Sequence, residues 1–308
     1  MSAPAAIAAL GEPWASLEWS GPLPAGAGLS WVGCDNVSFT AVTDGQPVIA
    51  KVPRPHTAVI GHTASRLLAL TAAGDAGIAP RVLAGDTATG VVVQEALGLQ
   101  LGALLRIGRP GALAAYATAR ATFRSLDVVL EPRDVFEDLE TLRAELESRG
   151  IHRPSEGKPV YALLDRMREA VANGPAAAPA WGSGEISNVL IGGAGEVSLV
   201  GGELSGLSDP LSDVGVILAE LAPFVADESE VMELAWGDNN PGALGRARLY
   251  GVADDIRASY LSLLAHDIDP DSPIEFIGYL GSRLRRATAT VASSAFQGWL
   301  AEAEKGWK

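Results

Sequence analysis

Cysteine occurs once in the 308 residues, at Cys34. That excludes an internal disulfide framework and a zinc site built on paired thiolates. The four histidines, His56, His62, His152 and His266, have no paired spacing, so no metal site is expected among them. Aromatic residues are scarce at 6% and charged residues stand at 19%, against 48% hydrophobic. Such a chain buries a core and is not disordered. Basic residues are outnumbered, 23 Lys and Arg against 37 Asp and Glu, for a formal net charge of −14. Nucleic acids and anionic membranes need a basic footprint, so neither is expected as a partner. No apolar run approaches the roughly 18 residues that span a bilayer. The opening MSAPAAIAALGEPW has no basic segment followed by an apolar one, as an export signal requires. Together with the single cysteine, this leads to the expectation of a cytoplasmic location.

What is present divides into two parts. Residues 1–97 read as a β-rich lobe with one helix. NVSFTAVT (36–43) alternates and runs into DGQ, a hairpin signal, and PVIAKVPRP (47–55) returns as the second strand, closed by Pro53 and Pro55. HTASRLLALTAAGDAG (62–77) has apolar residues at helical spacing and a glycine stop. APRVLAGD and TGVVVQEAL make a further strand pair. Trp14 and Trp19 are expected to pack on this sheet. Residues 98–308 read as mainly helical, with helical patterns over 101–107, 112–129, 134–149, 160–174, 210–225, 242–267 and 273–305. The fold class is therefore α+β, two-lobed, with a cleft between a small antiparallel lobe and a larger helical one.

Between the helices lies APAWGSGEISNVLIGGAGEVSLVGGELSGLSDPLSDVGV (178–216), with strand-like runs at Asn188–Ile191 and Val197–Val200 around a Gly-rich turn. With NVSFTAVTDGQPVIAKVPRP, AGIAPRVL, VVVQEALG and RARLYGVADDIRASYLSLL, in that order and spacing, this chain resembles the choline kinase and aminoglycoside phosphotransferase family, whose fold is similar to protein kinases. The late helices most resemble the bacterial choline and ethanolamine kinase branch.

Phosphoryl transfer needs a cation on the phosphates, an acid on Mg²⁺ and an acid that orients or accepts the hydroxyl proton. The resemblance implies a place for each. Counting back from Asn188 puts the catalytic Asp at Ser183 and the preceding His at Trp181. Ser183 without a neighbouring base accepts no proton near neutral pH. The metal-binding Asp falls on Gly201, followed by Gly202, with Glu203 two residues on and about 7 Å further along an extended stretch. Lys51 takes the phosphate-facing cation's place. Its acidic partner falls on Arg66, and no acid occurs from Val52 to Gly74, so cation beside cation is expected there. The phosphate-covering loop GLSWVGCDN (28–36) carries a bulky Trp31 and an acid, Asp35. Trp31 and Trp181 are expected to fill the nucleotide space. Asp209 and Asp213 start a helix, where a carboxylate caps free N–H groups, and Asp213 is expected to brace the loop above it.

The resemblance thus implies a pseudokinase: no catalytic residues, no metal, and no cofactor. Its expected role is regulatory, beside a protein partner such as an active kinase homologue. Two alternatives stay open. One is a small-molecule binding protein, or an enzyme of other chemistry, using Lys51, Trp31, Glu185, Asn188 and Glu203 in a remodelled cleft. The other is an active kinase with relocated acids, using ATP and Mg²⁺. For a small ammonium ligand, Tyr250, Tyr260 and Asp254 are the candidate pocket.

Overall fold

The Asp44–Gly45 turn, with φ of 50° and 75°, joins the first two long strands. Both residues have positive φ, the requirement of the tight hairpin turn that an Asp-Gly pair signals. The computed structural model describes residues 2–28, 30–101, 107–108, 111–221 and 227–307. After the short helix α1 (Ala3–Ala8), two small strands β1 (Gly26–Ala27) and β2 (Trp31–Val32) pair with each other. Strands β3 (Asn36–Thr43), β4 (Gln46–Pro53), β5 (Val82–Gly85) and β6 (Val92–Glu95) form an antiparallel sheet in the order β3-β4-β6-β5. Helix α2 (Thr63–Asp75) is inserted between β4 and β5. It ends as the glycine predicts: Gly77 has φ +73°, its N–H donates to Gly74 O, and Ile78 N–H donates to Ala73 O. The outer face of the sheet is covered by the N-terminal segment, with Ile7 of α1 fully buried and Trp14 and Trp19 packed against it, as expected of the two tryptophans.

The second lobe begins with β7 (Gln100–Leu101) and α3 (Ala112–Arg124). The helical pattern over 101–107 lies almost wholly outside the described residues, as does the end of the one over 210–225. The 134–149 pattern is helix α4 (Val135–Ser148), capped by Asp134, whose carboxylate accepts from Phe136 N–H at 2.7 Å. The single helix expected over 160–174 is two short ones, α5 (Lys158–Tyr161) and α6 (Leu164–Ala170). Next come β8 (Ala178–Ala180), β9 (Val189–Ile191), β10 (Val197–Leu199) and β11 (Gly206–Ser208). β9 and β10 pair antiparallel, with β7 on the other side of β9. The lobe closes with α7 (Pro210–Leu221), α8 (Glu228–Ala235), the long α9 (Pro241–Ile268), α10 (Phe276–Ala292) and α11 (Phe296–Glu304). The tail read as one helix over 273–305 therefore breaks in two around Ser293. One large apolar core runs from α2 through the second lobe, while the outer sheet face has its own.

Candidate functional site

Side chains alternate along a strand, and facing residues on paired strands share a side. Lys51 and Ile49 of β4 therefore lie on one face, with Ser38 of β3 opposite Lys51 and Gln94 of β6 opposite Ile49. That face closes one wall of a cavity of about 270 Å³ between the lobes. The other wall carries Ser187, Asn188 and Leu190, with Val200, Gly201 and Glu203. The sequence reading placed Lys51, Trp31, Asn188 and Glu203 in the cleft, and the structure brings all four to this cavity. Glu185 lies in the adjoining smaller hollow of about 30 Å³, next to Ser183 and Tyr279.

Ser183 is buried, and its hydroxyl donates to Glu185 Oε2. Asn188 Nδ2 donates to the same Ser183 oxygen at 2.9 Å. The far oxygen of Glu185 accepts from Tyr279 OH at 3.1 Å and Arg283 Nη2 at 3.2 Å. Burial pushes the Glu185 carboxyl up, but the Arg283 guanidinium and the Ser183 hydroxyl outweigh it and hold the carboxyl below its ordinary range. A carboxylate so stabilised is a weak base, and its serine neighbour is hydrogen-bonded rather than activated.

Trp181 is not in the cleft, contrary to the sequence expectation. Its ring is fully buried in the second lobe, edge-on to Phe123 with centroids 5.0 Å apart, and Nε1 donates to Val200 O at 3.3 Å. Gly182, at φ +78°, turns the chain against Leu204 with no room for a side chain, and this bend carries the tryptophan inward. Trp31 does face the cleft. It packs on Tyr279 at 4.9 Å and Phe276 at 5.5 Å, and donates to Asp35 Oδ1 at 2.8 Å. The ring ties the small lobe to α10 and leaves the space between Ile49, Gln94 and Leu190 open, so it does not fill the cavity.

The expected repulsion between Lys51 and Arg66 is also corrected. Arg66 is buried and its Nη2 lies 3.0 Å from Glu203 Oε1 and 3.0 Å from Asn36 Oδ1. Arg66 Nη1 donates to Gly90 O at 2.8 Å. Asn36 Nδ2 donates to Glu203 Oε1 at 2.7 Å. An acid from the second lobe has taken up the cation that the small lobe presents. Lys51 makes no hydrogen bond or ion pair within 4.0 Å among the described residues. Burial lowers its pKa to about 8, with Glu203 opposing and Arg66 adding to the shift. Burial first, and the neighbouring Glu203 second, raise the Asp35 carboxyl to about 8.

Gly201, where the resemblance implies a metal-binding acid, has φ +97°. A Cβ built there would stand 2.9 Å from Asn188 Cγ and 3.0 Å from Glu203 Oε2. The space that a side chain at Gly201 would take is thus partly occupied by these two side chains. Mg²⁺ is bound through carboxylates plus phosphate oxygens. Of the carboxylates lining the cleft, Glu203 stands beside this position and already neutralises Arg66, and burial raises Asp35 to about 8, so the residues do not fit a magnesium–triphosphate site. Among the described residues, no three His, Cys, Asp or Glu side chains gather to hold a metal.

Tyr250 and Asp254 line one small hollow of about 20 Å³, but Tyr260 lies outside it. Tyr250 OH donates to Asp209 Oδ2 at 3.0 Å, Tyr260 OH accepts from Arg153 at 3.0 Å, and Asp254 is paired with Arg257. Asp213 braces the loop, accepting from Gly182 N–H at 3.0 Å while paired with Arg120. The sequence reading missed the buried guanidinium groups: Arg120, Arg257 and Arg283. Arg257 bonds Asp138 at 3.0 Å and Gly182 O at 2.8 Å, and Arg283 joins Glu185, Glu220 and Asp255. The only sequence signal for them is charge inside otherwise apolar helices. Gln94 and Ser187 were missed as well, because an isolated amide or hydroxyl in a strand or loop has no spacing to read.

No family model matches the chain, and no curated protein matches its sequence. Solved structures do match. A choline/ethanolamine kinase family protein from Mesorhizobium loti has 24% identity and a TM-score of 0.76, over 99% of this chain and 98% of that one. The choline kinase LicA from Streptococcus pneumoniae has 18% identity and a TM-score of 0.68, over 84% and 89%. A thermostable mutant of the aminoglycoside phosphotransferase APH(4)-Ia has 15% identity and a TM-score of 0.55, over 90% and 95%. The fold is the two-lobed, kinase-like one that these choline kinases and aminoglycoside phosphotransferases share.

Proposed function

We propose that this protein is a catalytically impaired relative of the choline kinases, a pseudokinase that acts in the cytoplasm as a binding or regulatory partner of a metabolic enzyme, with an active homologue as the first candidate. One observation supports it above the others: at Gly201, where the resemblance implies a metal-binding acid, there is no side chain, and the neighbouring Glu203 is engaged by Arg66 and Asn36. The second support is Ser183 in place of the base, bonded to a carboxylate of depressed pKa. Losing the metal ligand and the base removes separate stabilisation of the transition state. The experiment is a phosphoryl-transfer assay with labelled ATP, Mg²⁺, and choline or ethanolamine, together with a thermal shift for Mg²⁺-ATP. No transfer and no Mg²⁺-dependent shift are expected. Turnover above a buffer blank, or a melting temperature raised by Mg²⁺-ATP over ATP alone, refutes it.

A second reading, an active kinase with relocated acids, is favoured by Glu203 Oε2. Arg66 and Asn36 engage only Oε1, while Oε2 lies beside the Gly201 position and Asn188. Turnover in the same assay that falls in Glu203→Gln is its signature.

A further inference from the structure

A cavity of about 460 Å³ lies on the second lobe, where the loop between α8 and α9 meets the end of α11. It shares no lining residue with the cavities of the cleft. Its volume falls within the range of ligand sites. Trp236, just after α8, and Trp307, just beyond α11, stand in its wall with ring centroids 5.9 Å apart and planes inclined at 76°. The two indoles make a corner. Trp307 is 39% exposed and Trp236 is half-buried. Arg124 covers Trp236 from α3 but does not line the cavity, so the cavity side of that ring stays open. The charges around the corner decide what it suits. Three groups there could hold an anion, and each is spent. At the start of α9, Pro241 has no N–H, and Asn240 Oδ1 accepts from Gly242 N–H at 2.8 Å and from Ala243 N–H at 3.4 Å. The Arg246 guanidinium is taken up by Asp209 and by the carbonyls of Asn173 and Val171. The Lys305 ammonium donates to both oxygens of Glu302, at 2.6 and 2.7 Å. One carboxylate is left over. Asp238 is exposed on the same wall, and its side chain makes no hydrogen bond or ion pair among the described residues. The C-terminal end of α11, the negative end of its dipole, also borders the cavity. Indole faces, a free carboxylate and a helix C-terminus together suit a cation with a flat apolar face.

We propose that this cavity is a docking point for a partner protein, which seats an arginine side chain against the Trp236–Trp307 corner and pairs its guanidinium with Asp238. Tryptophan is enriched among the residues that anchor protein interfaces. The net charge of −14 favours encounter with a basic segment. Guanidinium is preferred to ammonium because it is planar and weakly hydrated, so it stacks on an indole while its edge donates to a carboxylate. The chain holds arginine on indole elsewhere, with Arg248 over Trp299 at 5.0 Å. The proposal goes beyond the noncatalytic reading, since the cavity stands apart from the cleft and an active kinase would dock in the same way.

The test is proton–nitrogen NMR of the full chain, following its seven indole N–H signals. The probe is the blocked peptide acetyl-Gly-Arg-Gly-amide. The signals of Trp236 and Trp307 are expected to shift and saturate in the millimolar range, as suits a single side chain. The signal of Trp31, which faces the cleft, should stay in place. The matching citrulline peptide has the same shape without the charge and should bind about fivefold more weakly, the share of one exposed charge pair. Asp238→Asn should lose about fivefold for the same reason. Asp238 is exposed and unpaired, so this variant should melt with the parent. Trp307→Ala, which removes one side of the corner at an exposed position, should weaken the arginine peptide by about as much. The proposal is overturned by shifts that do not saturate or that fall only on other indoles. It is overturned equally by a citrulline peptide that binds as well, or by unchanged affinity in Asp238→Asn. A lysine peptide or tetramethylammonium that binds more tightly than the arginine peptide also overturns it, because the cavity would then select an ammonium. None of these outcomes bears on phosphoryl transfer, so a failure here would leave the noncatalytic reading standing.

Discussion

Replacing Glu203 by glutamine removes one charge and keeps the shape, so it isolates what the relocated acid does. Glu203 Oε1 lies 3.0 Å from Arg66 Nη2, with the two side chains 11% and 5% exposed. At an effective dielectric constant of about 20, the attraction at that separation is roughly 5–6 kcal/mol before desolvation is subtracted. Breaking one side of a buried pair costs about 3–5 kcal/mol. Glutamine still offers an oxygen to Asn36 and Arg66, so the expected loss is at the low end, about 3 kcal/mol. What remains is a buried guanidinium whose Nε already lacks a partner. The assay is urea unfolding of the parent, Glu203→Gln, Arg66→Met and the double variant. The cycle should show coupling of about 2 kcal/mol or more. The same substitution has an independent readout by NMR titration. Burial is the first cause of the raised Asp35 carboxyl and Glu203 the second, so Glu203→Gln should move Asp35 down from about 8. It should also move Lys51 below about 8, because Glu203 is what opposes burial there. Single-variant losses that add to within about 0.5 kcal/mol, the ordinary error for independent sites, would refute the pairing.

Three further outcomes follow from the same geometry. Asp213→Ala strands the fully buried Arg120 and frees Gly182 N–H, so it should destabilise by about 3–5 kcal/mol in the same unfolding assay. Asp35 has its folded pKa raised from 3.8 to about 8, so its contribution to stability is whole below the unfolded value and is lost as pH rises through the folded one. Asp35→Asn stays neutral and should therefore gain on the parent steadily from about pH 4 to about pH 8 in denaturation curves; a constant difference would contradict the burial of that carboxyl. Gly201→Asp should not confer phosphoryl transfer and should lower stability by about 1–2 kcal/mol, because φ is +97° and the new Cβ stands 2.9 Å from Asn188 Cγ.

Local pattern made most of the fold legible. The Asp-Gly turn, the alternation of 36–43 and the glycine after α2 each state a backbone geometry within a few residues. What was not legible is where helices break without a breaker. Nothing in Tyr161–Leu164 forbids a helix, yet α5 and α6 are separate, and we have no physical account of that break. Trp181 was misplaced for a clearer reason. Position in the loop does not say to which side a ring turns, and that is set by Gly182, at φ +78° and packed against Leu204.

The site was half legible because substitution is visible in sequence while compensation is not. The resemblance implies acids at the positions of Ser183, Gly201 and Arg66, and the sequence shows other residues there. That Glu203 reaches back to Arg66 is a contact across 137 positions, which no local rule supplies. The sequence alone predicts two repelling cations in the cleft. The structure holds a neutral pair instead, and it does so with the carboxylate that stands next to Gly201. These facts are linked by charge. With no acid between Val52 and Gly74, burying Arg66 requires an anion from elsewhere, since an unpaired buried guanidinium costs several kcal/mol. A carboxylate that also bound a divalent ion would leave less charge for Arg66. The arrangement that stabilises the cleft is therefore in competition with the one that would load it with magnesium.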